Sequence, residues 1–104
     1  MMDRFLLDAL EVLRLLAEWY DLQSVGLGDR LTDRVEEFVQ ARLATPRVCA
    51  RVARSPRGRE IRVGLTRRFP VLIHYEVTAM EIVVLSVVHA RSRSRPWRSR
   101  LNSP

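Results

Sequence analysis

The residues of this chain best equipped for chemistry lie toward its C-terminal end. Arg68-Phe69-Pro70-Val71-Leu72-Ile73-His74-Tyr75-Glu76-Val77 is followed by Glu81-Ile82-Val83-Val84-Leu85-Ser86-Val87-Val88-His89-Ala90-Arg91 and then by an arginine-rich tail. Histidine exchanges a proton near neutral pH, and arginine holds a phosphate or carboxylate through two parallel N–H bonds. His89 and Arg91 therefore pair acid–base capacity with anion binding at the end of an apolar run. Arg62 and His74 are the next candidates. Each also has a plain reading: His89 closing a strand end, Arg62 and Arg91 as solvated charges, His74 as a surface histidine. Trp19 and Tyr20 end an apolar helical stretch, where aromatic residues are usually core. The few serines sit mostly in loops and the tail, so no nucleophile–His–acid set is credible. The Gly26/Gly28 turn lacks the lysine and preceding strand of a phosphate loop. No spacing of His, Cys, Asp and Glu suits a metal, and no cofactor is expected.

The 104 residues suit one domain, expected over 1–98 with a flexible end at 99–104. Hydrophobic residues make up 47% and charged residues 29%, which is ordinary for a globular protein. The formal net charge is +6, and with no lysine present every strong base is arginine. Such a surplus favours a polyanionic or acidic partner. Cys49 is alone, so no disulfide within the chain is possible, in keeping with a reducing cytoplasm. The run from Ile82 to Val88 is too short to span a bilayer, and the N-terminal apolar residues are broken by Asp8, Glu11 and Arg14. A cytoplasmic, membrane-free protein is expected.

Several elements must position these residues. Residues 4–7 read as a short strand or a first helical turn. Asp8-Ala9-Leu10-Glu11 has the form of a capping box. Ala9, Leu10, Leu13, Leu16, Ala17 and Tyr20 then make an apolar stripe, widened by Val12, Leu15 and Trp19, which predicts a helix covered on more than one side. Gly26 and Gly28 break it. A second helix, opened by Asp29 or Thr32, carries Leu31, Val35, Phe38, Val39 and Leu43 and stops before Pro46. Residues 45–60 read as a solvated loop with a possible strand near Val48 to Val52. From Arg59 the apolar residues alternate, then come strands at Phe69–Val77 and Ile82–Ala90 joined by a turn. Pairing Val77 with Ile82 sets Tyr75 opposite Val84, Leu72 opposite Val87, His74 opposite Leu85 and His89 opposite Pro70. On that register Arg62, His74, Glu76, His89 and Arg91 share the face away from the helices with Leu72, Leu85 and Val87, while Ile61, Ile73, Tyr75 and Val84 pack beneath them. The fold class expected is α+β: a helical hairpin on a small, mainly antiparallel sheet, with a short basic tail.

Together with Ala17-Glu18-Trp19-Tyr20 and Gly26-Leu27-Gly28-Asp29-Arg30, this order of parts resembles the RelE/ParE family of small bacterial toxins over roughly residues 4–98. The resemblance implies the toxin of a type II toxin–antitoxin module, bound in a hetero-oligomer by an antitoxin with an acidic segment. The family has two branches: ribosome-dependent mRNA endoribonucleases, and proteins that block DNA gyrase without known catalysis. By offset Arg91 matches the ribonuclease arginine, but Trp97 stands where that branch has Tyr, and Leu72 stands where it has Arg. Phe69-Pro70 and His89-Ala90-Arg91 look closer to the ParE-like, plasmid-stabilisation branch, which implies a gyrase inhibitor. The alternatives are a ribonuclease using Arg62, His89 and Arg91 on ribosome-bound mRNA, or a non-toxic binding module. Target or antitoxin contacts are expected from Arg62, Arg67, Arg68, Leu72, His74, Leu85, His89, Arg91 and Trp97, with Arg93 and Arg95 beside them.

Overall fold

In the computed structural model, which describes residues 1–92 and 96–100 apart from the Ser99 side chain, two helices cover one face of a five-stranded sheet. The chain runs through β1 (Met2–Phe5), α1 (Leu7–Gln23), α2 (Leu27–Ala44), β2 (Ala50–Arg54), β3 (Glu60–Leu65), β4 (Val71–Val77) and β5 (Glu81–His89), and Pro96–Arg100 forms a 3₁₀ helix. The sheet order is β1-β5-β4-β3-β2, antiparallel except where β1 lies parallel to β5. Residues 4 and 5 thus belong to a strand. The possible strand near Val52 is β2, which pairs with β3 and is irregular between Arg51 and Ala53.

The helical turn is built differently from the sequence expectation. Residue Leu6 precedes α1 without any side-chain cap, so the capping box does not form. Asp8 instead lies 3.7 Å from Arg100, and Glu11 pairs with Arg14. α2 begins at Leu27, ahead of Asp29 and Thr32, and takes Gly28 inside it. Its cap comes from α1: the Asp21 carboxylate accepts the backbone N–H groups of Gly26 (3.1 Å) and Gly28 (2.8 Å). Those groups would otherwise lack partners at a helix start. Gly26 adopts φ 93°, and a Cβ on Gly28 would come within 2.4 Å of the Ala17 carbonyl. The glycines therefore let the chain reverse and the helices approach, rather than merely ending a helix.

Ala9, Leu13, Leu31, Val35, Phe38 and Val39 from the helices meet Val71, Ile73, Tyr75, Val77, Ile82, Val84 and Val87 from the sheet. α1 packs against both α2 and β5, but its outer face stays open. Leu15 and Trp19, expected to widen the covered stripe, are half exposed, and Leu22 is 83% exposed.

The hairpin β4–β5 starts in the expected register, with Val77 opposite Ile82 and Tyr75 opposite Val84. A bulge beyond Tyr75 then admits Leu85 as an extra residue, and the remaining pairs shift: His74–Ser86, Ile73–Val87, Leu72–Val88 and Val71–His89. One inserted residue exchanges the faces of everything after it. Unshifted, Ser86 would sit opposite Ile73 in the helix-side core, where its hydroxyl would lack a partner. Shifted, it lies 3.2 Å from His74 Nδ1 on the other face, and Val87 fills the core.

Candidate functional site

The far face of the sheet, expected to expose an apolar patch, is largely closed by the chain itself. Trp97, only 6% exposed, packs with Ile61, Val83 and Leu85. Its ring stacks on His74 at 5.5 Å. Arg100 donates to the Leu85 carbonyl at 2.7 Å, holding the 3₁₀ helix on the bulge. Leu85 is therefore 2% exposed, and Val87 points to the helix side and is fully buried. Of the expected patch only Leu72 keeps partial exposure. Ile61, expected under the helices, lies on this far face because it pairs with Glu76.

Arg62 leaves the expected cluster. It pairs with Tyr75, so its side chain shares the helix-side face, opposite to that of His74 and Glu76. There it donates to the carbonyls of Arg47 (3.0 Å) and Cys49 (2.5 Å) and pairs with Glu60 (3.3 Å), while only 13% of its side chain is exposed. Burial pushes the Glu60 carboxyl up, but bonds from Arg62 and Arg47 outweigh this and hold it below the ordinary value. Beside this brace, the Tyr75 hydroxyl donates to the Pro46 carbonyl at 2.8 Å, and burial raises its pKa. Arg62 is thus occupied in fastening residues 47–49 to β3.

His89 pairs with Val71, not Pro70, and lies at the strand end on the helix side. Its Nδ1 accepts the Arg91 N–H (3.2 Å) in a tight turn, in which Ser92 donates to the His89 carbonyl. Along β4 the partners of Arg62 and His89 are four residues apart, about 13 Å by strand rise, with β4 between them. Arg62, His89 and Arg91 are therefore not gathered around one point. Arg93 and Arg95 lie outside the described residues.

What the fold does gather is a basic cleft at the β3–β4 loop. The Ala90 N–H donates to the Pro70 carbonyl at 2.7 Å, which brings the His89–Arg91 turn against this loop. The loop carries Arg67 and Arg68 and is braced by buried Thr66, whose hydroxyl donates to the Phe69 carbonyl at 3.1 Å. Arg68 has φ 69°, a left-handed backbone uncommon for a non-glycine residue. Across from the loop, α2 presents Arg30, Arg34, Phe38 and Arg42 at four-residue spacing, one row along a helix. Arg30, Arg34 and Arg68 surround a depression of about 300 Å³ floored by Tyr20, Leu27 and Phe69. A second, of about 280 Å³, lies between Phe38, Leu65 and Arg67 and shares Arg34 with the first. The sequence candidates Arg67, Arg68, His89 and Arg91 meet at this end of the molecule. Arg30 and Arg34 were missed, although the arginine row beside the apolar stripe of α2 was visible in the spacing. Tyr20, edge-on to both Trp19 (5.0 Å) and Phe69 (5.1 Å), packs against the core as the sequence suggests and also lines the first depression.

Among the described residues no His/Cys/Asp/Glu group could hold a metal ion, and no helix is long and apolar enough to cross a membrane. No family model and no curated protein matches the sequence. The fold is similar to that of a solved structure, a chain described as the chromosomal ParDE TA system from P. aeruginosa, with a TM-score of 0.61 at 17% identity, over 88% of this chain and 97% of that one. The helical hairpin on a mixed five-stranded sheet is therefore a ParE/RelE-like fold.

Proposed function

We propose that this chain is the toxin of a type II toxin–antitoxin module, that it acts on DNA gyrase in the manner of the ParE branch, and that a cognate antitoxin neutralises it. The observation that carries this reading is the likeness to the ParDE chain over nearly the full length of both. The side-chain arrangement favours binding over catalysis. A ribonuclease would need an acid or base and a phosphate-holding cation around one scissile bond. Here Arg62 is bound to backbone carbonyls, Trp97 is buried against His74 on the far face, and His89 lies at the strand end on the helix side, with its partner four residues along β4 from that of Arg62. Leu72 offers no charge.

Expression of the chain alone in a bacterium should arrest growth, and co-expression of the adjacent reading frame should restore it. The purified protein should inhibit gyrase supercoiling or accumulate cleavage complexes, and leave ribosome-bound mRNA intact. Codon-specific mRNA cleavage lost in His89→Ala would replace the gyrase reading with the nuclease one. Unimpaired growth at verified soluble expression would leave a non-toxic binding module.

A further inference from the structure

We propose that the β2–β3 hairpin, together with the recess between it and the β4–β5 turn, binds the phosphate backbone of double-stranded DNA without reading its sequence. This surface lies at the opposite end of the strands from the arginine cleft. The first observation is charge. Residues 46–64 carry six arginines and a single acid, Glu60. Arg47, Arg54, Arg57 and Arg59 line a recess of about 700 Å³, whose other wall is the turn from Thr78 to Glu81. Both acids on that recess are already engaged, Glu60 with Arg47 (2.7 Å) and Arg62 (3.3 Å), and Glu81 with Arg4 (3.1 Å). Arg51 and Arg57 have no carboxylate or hydrogen-bond partner among the described residues. Such an excess of guanidinium groups suits phosphates, which it neutralises with release of their counterions.

The second observation is placement. Arg51 and Arg54 are three positions apart and would face opposite ways in an unbroken strand. The irregularity between Arg51 and Ala53 makes Val52 an extra residue, so Arg51 pairs with Arg62 and Arg54 with Glu60, two rungs apart on one face. Arg57 stands at the hairpin tip, in a turn closed by the Gly58 N–H to the Ser55 carbonyl (2.8 Å) and the Arg59 N–H to the Ser55 hydroxyl (3.2 Å). Gly58 takes φ 77°, and its carbonyl accepts from Arg54 at 2.9 Å. The backbone that carries the cations is thus ordered before a partner arrives, which lowers the cost of holding a stiff polymer.

Other polyanions fit less well. Single strands are held by bases stacking on aromatic faces, and among the described residues no aromatic side chain lines the recess. An acidic peptide draws most of its affinity from buried apolar contacts. Here Val77 is already buried at 3% exposure, and Val52 and Met80 stand apart as exposed side chains on different strands and turns. What remains is contact with phosphates, which positions a protein on a duplex without specifying sequence. The choice of DNA over RNA rests on the gyrase reading above, since a protein bound to gyrase lies beside the DNA that the enzyme holds.

The test uses the full chain and short fluorescein-labelled DNA duplexes of two unrelated sequences, read by fluorescence anisotropy across a salt series. Its comparators are one of the single strands, an RNA duplex of the same sequence, and oligoglutamate of equal charge. Both DNA duplexes should bind equally, with dissociation constants of about 1–100 μM at physiological salt, and the single strand and oligoglutamate about fivefold or more weakly. Arg54→Gln/Arg57→Gln should weaken duplex binding about tenfold and reduce the slope of log affinity against log salt by about 2, one for each lost phosphate contact. Arg51→Gln should reduce that slope by about 1. Arg14→Gln/Arg98→Gln removes as much charge from α1 and the 3₁₀ helix, and should change affinity less than about twofold with the slope unchanged. All five positions are exposed, and circular dichroism checks that each variant folds. Equal losses in the two double variants would reduce the effect to bulk electrostatics and overturn the proposal, as would the single strand or oligoglutamate binding as tightly as the duplex. An RNA duplex binding more tightly than DNA would overturn the choice of DNA. A gyrase supercoiling assay separates the two readings. If the wild-type chain binds duplex DNA through the hairpin yet leaves supercoiling untouched, the gyrase reading falls and the hairpin site stands. If the chain inhibits supercoiling and Arg54→Gln/Arg57→Gln binds the duplex like wild type, the hairpin site falls and the gyrase reading stands.

Discussion

Arg62 and Tyr75 are directly opposite each other on β3 and β4, and both hold the segment that leaves α2. Arg62 carries the residue type of an anion-binding site, but its donors go to the carbonyls of Arg47 and Cys49. The spacing of the sequence showed that Arg62 alternates with Ile61 and Val63. It did not show which of the two sets meets the helices, because a strand pattern fixes alternation and not the face that is buried. Tyr75→Phe should cost about 1 kcal/mol in urea unfolding at neutral pH, through loss of the bond to the Pro46 carbonyl. The pKa of Tyr75 is raised by burial, so the folded state keeps the phenol protonated where the unfolded chain has begun to ionise it. Its contribution is full below the unfolded value near pH 10 and is lost as pH rises above it toward the folded value. Wild-type stability should therefore fall with pH above about 10. In Tyr75→Phe that decline should be shallower, and an unchanged slope would place the titration elsewhere.

Two elements owe their form to residues outside them. α2 starts at Leu27 because Asp21, on α1, supplies the acceptor that a residue at the helix start would ordinarily provide. The sequence rule that looks for a cap immediately before the helix selected Asp29 and Thr32, which both lie within it. Asp21→Ala should cost about 0.5–2 kcal/mol, measured by thermal or urea unfolding. Gly28→Ala should cost about 1–3 kcal/mol, since its new methyl meets the Ala17 carbonyl. The C-terminal 3₁₀ helix is the second case. Trp97 covers Ile61, Val83 and Leu85, and Trp97→Ala should destabilise by about 3–5 kcal/mol while exposing an apolar patch, read as a rise in dye binding. Leu85→Asp would place a charge in that core, so it probes folding before it can probe any partner.

On the scale of the molecule, charge is unevenly placed. The cleft end gathers Arg30, Arg34, Arg67, Arg68 and Arg91, whereas α1 carries Asp8, Glu11, Glu18 and Asp21 around its exposed Leu15, Trp19 and Leu22. If an acidic partner is steered to the cleft end, added salt should slow association more than it speeds dissociation. Surface plasmon resonance across a salt series measures both rates, and a salt effect confined to dissociation would rule out steering. The sequence by itself determined the two helices, the strands β3 to β5 and the start of the β4–β5 register, because helical and strand periodicities are local, while β1 and β2 were settled only by their pairing with β5 and β3. Alternation every second residue marked Ile73, Tyr75 and Val77 as one face, and the turn at 78–81 set Val77 opposite Ile82. Only the tertiary structure decided which chemistry shares a face. The extra Leu85 reverses the last residues of β5, sending Val87 into the core and Ser86 to His74. Trp97 then closes the far side, and α2 meets the β3–β4 loop to form the arginine cleft. Each of these is a contact between segments distant in the chain, chosen by which arrangement buries apolar area and leaves fewest polar groups unpaired, a balance that no local pattern records.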